Sequence, residues 1–247
     1  AAVAAGGRAE ALLDGCADAE GVRIARHALA SSHYRAGDYA TARSVYERLL
    51  ETTGDDPVYR AEVLGRLGLV AQAVGEYDLA RRRYVESLAA NRAVANVSGV
   101  VTQLLNLGAL ELNSDAPQAA GERFEEALRL AREHGYHQVI PVLLHNLANV
   151  ACKGRRFAEA RELGQEALRR VVASGERGLE SGMLATLGWI ELEAGNLTAA
   201  EEHARRAVTV AAEAGDEPAQ QTAHVRLGQV LLARGCTREA AELLDAA

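Results

Sequence analysis

The stretch LGLVAQAVGEYDLARRRYVESLAA, residues 67–90, decides the fold of this chain. It places Gly68 and Ala80 twelve residues apart, on either side of the turn signal Gly75-Glu76-Tyr77. The same spacing of two small residues recurs along the chain, at 30 and 42, 108 and 120, 148 and 160, 188 and 200, and 228 and 240. Successive copies are 38 or 40 residues apart. A period of this length is typical of proteins that stack one supersecondary unit many times.

Each copy reads as two helices joined by a tight turn. Pro57 follows an aspartate pair, a combination that starts helices, and apolar residues recur at helical spacing through residues 63–74. Gly75 predicts the end of the first helix, and a second begins near Tyr77. The small residues at 68 and 80 allow the two helices to pack closely. We therefore predict an all-α solenoid of stacked antiparallel helix pairs.

The period also predicts how the chain is divided. We expect a single solenoid over residues 1–247, with a partial repeat at 1–20, full repeats at 21–58, 59–98, 99–138, 139–178 and 179–218, and a truncated repeat at 219–247. The alanine series extends back to Ala4, and the last residues still follow a helical pattern. We therefore expect this chain to be a segment of a larger protein.

Composition limits the classes of function. The net charge is −7, so the chain lacks the basic balance of a nucleic-acid binder, and we expect no direct nucleic acid contact. No apolar run approaches the roughly 20 residues that span a bilayer, so we expect no membrane contact. Three isolated cysteines favour reduced thiols in the cytoplasm. The best-known catalytic signatures are missing, so we expect no enzyme activity, no metal and no cofactor.

The pattern resembles the tetratricopeptide repeat. That family places a glycine in its first helix, an alanine at the start of its second and an aromatic residue one turn later. Two copies here follow it, with Leu67-Gly68, Ala80, Tyr84 and Ser87-Leu88, and with Leu107-Gly108, Ala120, Phe124 and Ala127-Leu128. The period is longer than the family's usual one of about 34 residues. It is similar to the repeat arrays of large bacterial transcriptional regulators, which join a repeat sensor to a DNA-binding domain.

The resemblance implies that the all-α solenoid of stacked antiparallel helix pairs is a right-handed superhelix. It also implies a binding surface, because first helices line the concave face of such arrays. Candidate residues follow from their place relative to the small residue of the first helix. They are Arg66, Asn106, Asn146 and Arg226 two positions before it, His145 three positions before it, and Asn149, Trp189 and Gln229 one position after it. Asparagine amides can pair with both donors and acceptors of an extended backbone, and arginines can hold a carboxylate or phosphate. The alternative is that asparagines bridge helices and Trp189 packs between units.

Two functions remain open at this point. One is a scaffold that binds a protein or peptide partner on the concave face, as the regulatory segment of a bacterial signalling or transcriptional regulator. The other is a sensor of a small-molecule or peptide effector that controls an attached output domain. A closed polar pocket around Asn146 and Trp189 would favour the second. Uncapped ends of the array predict some self-association.

Overall fold

The computed structural model describes residues 18–54 and 56–245, so Ala4 and Cys16 lie outside the described residues. Within the described ranges the chain forms twelve α-helices and no strand. The helices are α1 Ala19–Arg35, α2 Tyr39–Glu51, α3 Pro57–Ala73, α4 Tyr77–Ala93, α5 Val97–Asn113, α6 Pro117–Glu133, α7 Ile140–Lys153, α8 Phe157–Ser174, α9 Arg177–Glu193, α10 Leu197–Ala214, α11 Glu217–Ala233 and α12 Thr237–Asp245. The predicted all-α class is confirmed.

The chain divides into two compact units, unit 1 ending at Leu110 and unit 2 beginning at Glu111. In unit 1, α1 packs on α2, α2 on α3, and α3 on α4. In unit 2 each helix from α6 to α12 packs on the next, and the first helices α7, α9 and α11 also contact one another in turn. Each unit is therefore built from stacked helix pairs. The division of the chain into seven repeat segments stays a prediction.

The turns inside the helix pairs need one residue with a positive φ. Glycine supplies it at the predicted turn of Gly75, with a φ of +81°, and at the equivalent turns of Gly37 and Gly195, with φ of +77° and +82°. The turn after α7 differs from these three, because Arg155 has a φ of +56° while Gly154 stays at −78°. Arg155 follows Ala148 by seven residues, just as Gly195 follows Gly188. The position of a residue within the repeat, and not its type, therefore decides which residue has the positive φ.

The repeated spacing of small residues allows two kinds of packing. In unit 1 the ring of fully buried Tyr84 lies directly on Gly68, where an added Cβ would stand 2.5 Å from Cε1. In unit 2 a Cβ on Gly188 would stand 3.1 Å from the carbonyl oxygen of Ala200 and 3.3 Å from the amide nitrogen of Ala204. An aromatic ring thus fills the gap in one unit, and the helix backbones close it in the other.

Candidate functional site

Unit 1 contains a polar cavity on the surface formed by its first helices. It has a volume of about 280 Å3 and lies against α3 and α5. We call it the amide cavity, after the side-chain amides that line it. Its lining includes Val58, Gly65, Arg66, Leu69, Gln103 and Asn106. The structure thus brings the predicted residues Arg66 and Asn106 to one site.

Gln103 and Asn106 supply two of the side-chain amides that line this cavity. Gln103 is almost fully buried, and a Cβ on Gly65 would stand only 2.7 Å from its Nε2. A glycine inside a helix costs about 1 kcal/mol relative to alanine, and here it makes room for the glutamine amide. Asn106 Nδ2 lies 3.5 Å from Gln103 Oε1, at the limit of a hydrogen bond. Both amides therefore retain capacity for a ligand.

The side chains of Asn91 and Asn96, which also line the cavity, form hydrogen bonds within the protein. Asn96 donates from Nδ2 to Asn91 Oδ1 at 2.7 Å, and Asn91 donates from Nδ2 to the carbonyl oxygen of Ser87 at 2.9 Å. Asn96 Oδ1 also accepts from the backbone N–H of Gly99 at 3.3 Å. These bonds join the end of α4 to the start of α5. They form the wall of the cavity and not its binding groups.

Arg66 and Glu62 are the charged residues that line the cavity. Arg66 Nη2 lies 3.8 Å from Glu62 Oε1, and His27 Nε2 lies 3.3 Å from the same oxygen. The neighbouring His27 and then Arg66 lower the pKa of Glu62 against the opposing effect of burial, so this carboxylate is ionised at neutral pH. The side chain of Arg66 is 44% exposed, and its guanidinium can still reach a ligand.

In unit 2 four of the six predicted residues interact with one another. The guanidinium of Arg226 stacks over the indole of Trp189, with Cζ 5.4 Å from the ring centroid. Its Nη1 donates to Gln229 Oε1 at 3.1 Å. Burial, and then the charge of Arg226, lower the pKa of His145 to about 4, so its imidazole is neutral at pH 7. The result is one half-buried cation beside an aromatic ring and a neutral histidine.

The two remaining predicted residues of unit 2 lie on α7. Asn146 donates from Nδ2 to the carbonyl oxygen of Val142 at 2.9 Å, one turn back in its own helix. Asn149 is partly buried. Asn106 and Asn146 occupy the same register position, yet only Asn106 lines the amide cavity. A binding role for Asn146 and Asn149 stays a prediction.

The prediction missed Gln103, although its register position carries a signal. Five residues before the small residue of the first helix, other copies have buried apolar side chains, namely Val63, Leu143, Met183 and Ala223. A glutamine at a core position needs hydrogen-bond partners, because burial of an unpaired amide is unfavourable. Gly65, a second glycine in the helix that contains Gly68, is a further signal, because it leaves space for the Gln103 side chain.

Two further properties concern only the described part of the chain. Its histidine, cysteine and carboxylate side chains form no group of three that could hold a metal ion. Among the same residues, no helix combines the length and the apolar character needed to cross a bilayer.

The fold defines a helical-repeat protein whose first helices carry polar side chains on a shared surface within each unit. The family model of the tetratricopeptide repeat matches residues 21–93 and 139–213, together more than half of the chain. This chain belongs to the tetratricopeptide repeat family. No curated protein shows significant sequence similarity to it.

Solved structures share this fold at low sequence identity. BtubC from P. vanneervenii matches with a TM-score of 0.66 and 18% identity over 85% of this chain and 87% of its own. A Rap protein complexed with competence and sporulation factor matches with a TM-score of 0.73 and 15% identity over 91% and 68%. Aspartyl phosphate phosphatase F from Bacillus subtilis matches with a TM-score of 0.77 and 12% identity over 96% and 62%. At these identities the likeness concerns the fold alone.

Proposed function

We propose that this chain is a protein- or peptide-binding scaffold that holds an extended main chain in the amide cavity of unit 1. The fold is in general a binding scaffold, and a Rap protein of the same fold is complexed with competence and sporulation factor. The observation that carries the proposal is the buried Gln103 beside Asn106, seated over Gly65. Two amides with spare donors and acceptors match the alternating groups of a peptide backbone.

The cavity walls support a peptide over a fully polar ligand. Val58 is 46% exposed and lines the cavity together with Leu69, so an apolar side chain of the ligand can pack beside the amides. Arg66 also lines the cavity. Pockets that bind ligands combine apolar walls with a few placed polar groups, and this cavity has both.

We place this activity in a regulatory segment of a bacterial signalling or transcriptional regulator in the cytoplasm. The support is the 40-residue period, which resembles sensor arrays of such regulators, and the fold shared with Rap proteins. The two described cysteines, buried Cys152 and exposed Cys236, are both free thiols. Control of an attached output domain by a small-molecule or peptide effector stays the alternative.

The test uses affinity selection by the 247-residue chain from a pool of random octapeptides. Asn106→Ala combined with Gln103→Leu removes both amides, and leucine is the residue at the equivalent core position 143. We expect binding of the retained peptides to weaken at least about tenfold, which corresponds to about 1.4 kcal/mol. Circular dichroism should show unchanged helical content.

Asn146→Ala is the matched control, because this asparagine has the same register position but donates its amide to its own helix. It should leave peptide affinity within about twofold, well under 1.4 kcal/mol. An equal loss in the control would contradict the assignment to unit 1. Retention of no peptide by the wild-type chain would reject the peptide-binding function.

A further inference from the structure

Unit 2 has a groove between the second helices α6 and α8, against the end of the first helix α7. Its volume is about 280 Å3. Leu147 and Val150, two buried residues of α7, form its apolar floor. Gly121 of α6 and Gly154, the C-cap residue of α7, also line it, and we call it the glycine groove after them. The lining thus combines an apolar floor with two positions that carry no side chain.

Both glycines occupy repeat positions at which a later copy has an ion pair. Gly121 has the position of Glu201, directly after the alanine of the second helix. Gly154 has the position of Arg234, six residues after the small residue of the first helix. In the later copy Arg234 pairs with Glu201, and this pair joins α10 to the C-cap of α11. The glycine groove therefore lies where the side chains of such a pair are missing.

Two further copies also have an ion pair at the position of Gly121. Arg43 directly follows the alanine of α2, and its Nη2 lies 2.7 Å from Glu76 Oε2. Arg161 directly follows the alanine of α8, and its Nε lies 2.6 Å from Glu191 Oε1. Each pair joins a second helix to the next helix pair. The junction of α6 with α7 and α8 lacks the charged side chain that these other junctions have.

The charges that line the glycine groove are mainly negative. Glu122 and Glu125 line it, are exposed and lie three residues apart on one face of α6. No ion pair joins either of them to a basic side chain within residues 18–54 and 56–245. Arg156 also lines the groove, but its Nη1 lies 2.8 Å from Glu159 Oε2 of the same helix turn. Two unmatched carboxylates therefore stand beside the apolar floor.

We propose that the glycine groove binds an arginine side chain on the surface of a partner protein. An arginine has an apolar stem and a planar guanidinium, so the stem can pack on Leu147 and Val150. The guanidinium then forms charge-assisted hydrogen bonds with Glu122 and Glu125. The partner supplies the cation that Arg43 or Arg161 supplies from within the chain at other junctions. This site lies in unit 2 and does not depend on the amide cavity of unit 1.

The probes are three pools of octapeptides with blocked termini. The fourth residue is arginine, lysine or citrulline, and the other positions are random but contain no basic residue. Citrulline has nearly the shape of arginine without its charge. After affinity selection by the 247-residue chain, the tightest arginine peptide is made again with each of the other two residues. We expect citrulline to weaken binding at least about tenfold and lysine less, because lysine keeps the charge but not the planar fork.

Gly121→Arg fills the groove with the side chain that other copies have at this position. A Cβ on Gly121 would stand 3.4 Å from Val150 Cγ1, an ordinary contact distance, so residue 121 has room for a side chain. The variant should weaken the arginine peptide at least about tenfold. Gly121→Ala is its control and should weaken the peptide less than about twofold. Circular dichroism should show unchanged helical content in both.

Glu122→Gln combined with Glu125→Gln removes the two unmatched charges at exposed positions. It should weaken the arginine peptide at least about tenfold and the citrulline peptide less than about twofold, so that the two changes are coupled. Glu162→Gln is the matched control, because Glu162 has the repeat position of Glu122, is exposed and does not line the groove. It should change neither affinity.

The outcomes separate this site from the amide cavity. Losses confined to Gly121→Arg and to the double glutamine variant support the glycine groove. Retention of no arginine peptide, or arginine peptides that bind these variants as tightly as the wild type, would overturn it, whatever the amide cavity binds. An equal loss in Glu162→Gln would also overturn it, because the effect would then come from the general surface charge.

Discussion

The carboxylate of Glu191 accepts two hydrogen bonds from the guanidinium of Arg161, from Nε at 2.6 Å and from Nη2 at 2.9 Å. Asn196 donates a third from Nδ2 at 2.7 Å. Glu191 lies on α9 and Arg161 on α8, so this bidentate pair fastens one helix pair of unit 2 to the next. The Glu191 side chain is only 10% exposed, and the hydrogen bonds from Arg161 lower its pKa.

We predict that Glu191→Gln destabilises unit 2 by about 1–3 kcal/mol at pH 7, because the partly buried guanidinium of Arg161 loses its charged partner. Urea unfolding of the wild type, Glu191→Gln, Arg161→Leu and the double variant measures the coupling. We expect the double variant to be less destabilised than the sum of the two single variants. Additive effects would show that the pair contributes nothing beyond its separate side chains.

Gly68→Ala should destabilise unit 1 by about 1–3 kcal/mol. The new methyl group would meet the ring of Tyr84, which is fully buried and whose hydroxyl donates to Gln72 Oε1 at 2.8 Å. The ring therefore has no free space to move into. Thermal melting measures the effect.

Gly182→Ala is the control for this substitution. Gly182 also lies within a helix, but a Cβ there meets no atom within 4 Å. The control should raise stability by up to about 1 kcal/mol through helix propensity. If both variants melt at the same temperature, the ring of Tyr84 does not restrict residue 68.

The pH dependence of stability should contain a contribution from His145. Its pKa is about 4 in the folded chain and about 6.5 when unfolded, so the unfolded state takes up the proton first as pH falls. This contribution is complete above about pH 6.5 and is lost between about pH 6.5 and 4, amounting to about 3 kcal/mol. Urea unfolding at several pH values should show that the free energy of unfolding depends less steeply on pH in this window for His145→Gln than for the wild type. An unchanged slope would contradict the burial of a neutral imidazole.

Arg226→Ala should shift the fluorescence of Trp189 to longer wavelength. Trp189 is the only tryptophan, so emission reports this site alone, and removal of the stacked guanidinium lets water reach the indole. Arg234→Ala is the control, because Arg234 is the C-cap residue of the same helix but pairs with Glu201. We expect no shift there. Equal emission maxima for all three proteins would argue against the stacking.

The helix pairs were predictable because small residues recur at equivalent positions, two of which are places where the helices pack closely. Gly68 and Gly188 have the same register position, and in each case the space above the glycine is filled. The repeat period alone did not predict which group fills that space, because either an aromatic ring or the backbone of the second helix can fill it. The choice depends on whether residue 84 or its equivalent, Ala204, is large.

The site was predictable only in part. Register placed Arg66 and Asn106 on one surface, and the structure brings them to one cavity. Register alone could not show that the Asn146 amide bonds back to Val142, because that choice depends on local side-chain geometry. Gln103 escaped prediction because it stands where other copies have core residues, so its role depends on the space above Gly65.

The pairing of Gly65 with Gln103 makes the amide cavity transferable. A glycine three residues before the small residue of one first helix admits a glutamine five residues before that of the next. In unit 2 the equivalent positions are His145 and Met183, and Thr186 corresponds to Asn106. His145→Gly, Met183→Gln and Thr186→Asn together should therefore graft a second amide cavity onto the same chain. If the amide cavity binds a peptide as proposed, a new binding specificity can arise by copying residues between equivalent repeat positions, without a change of fold.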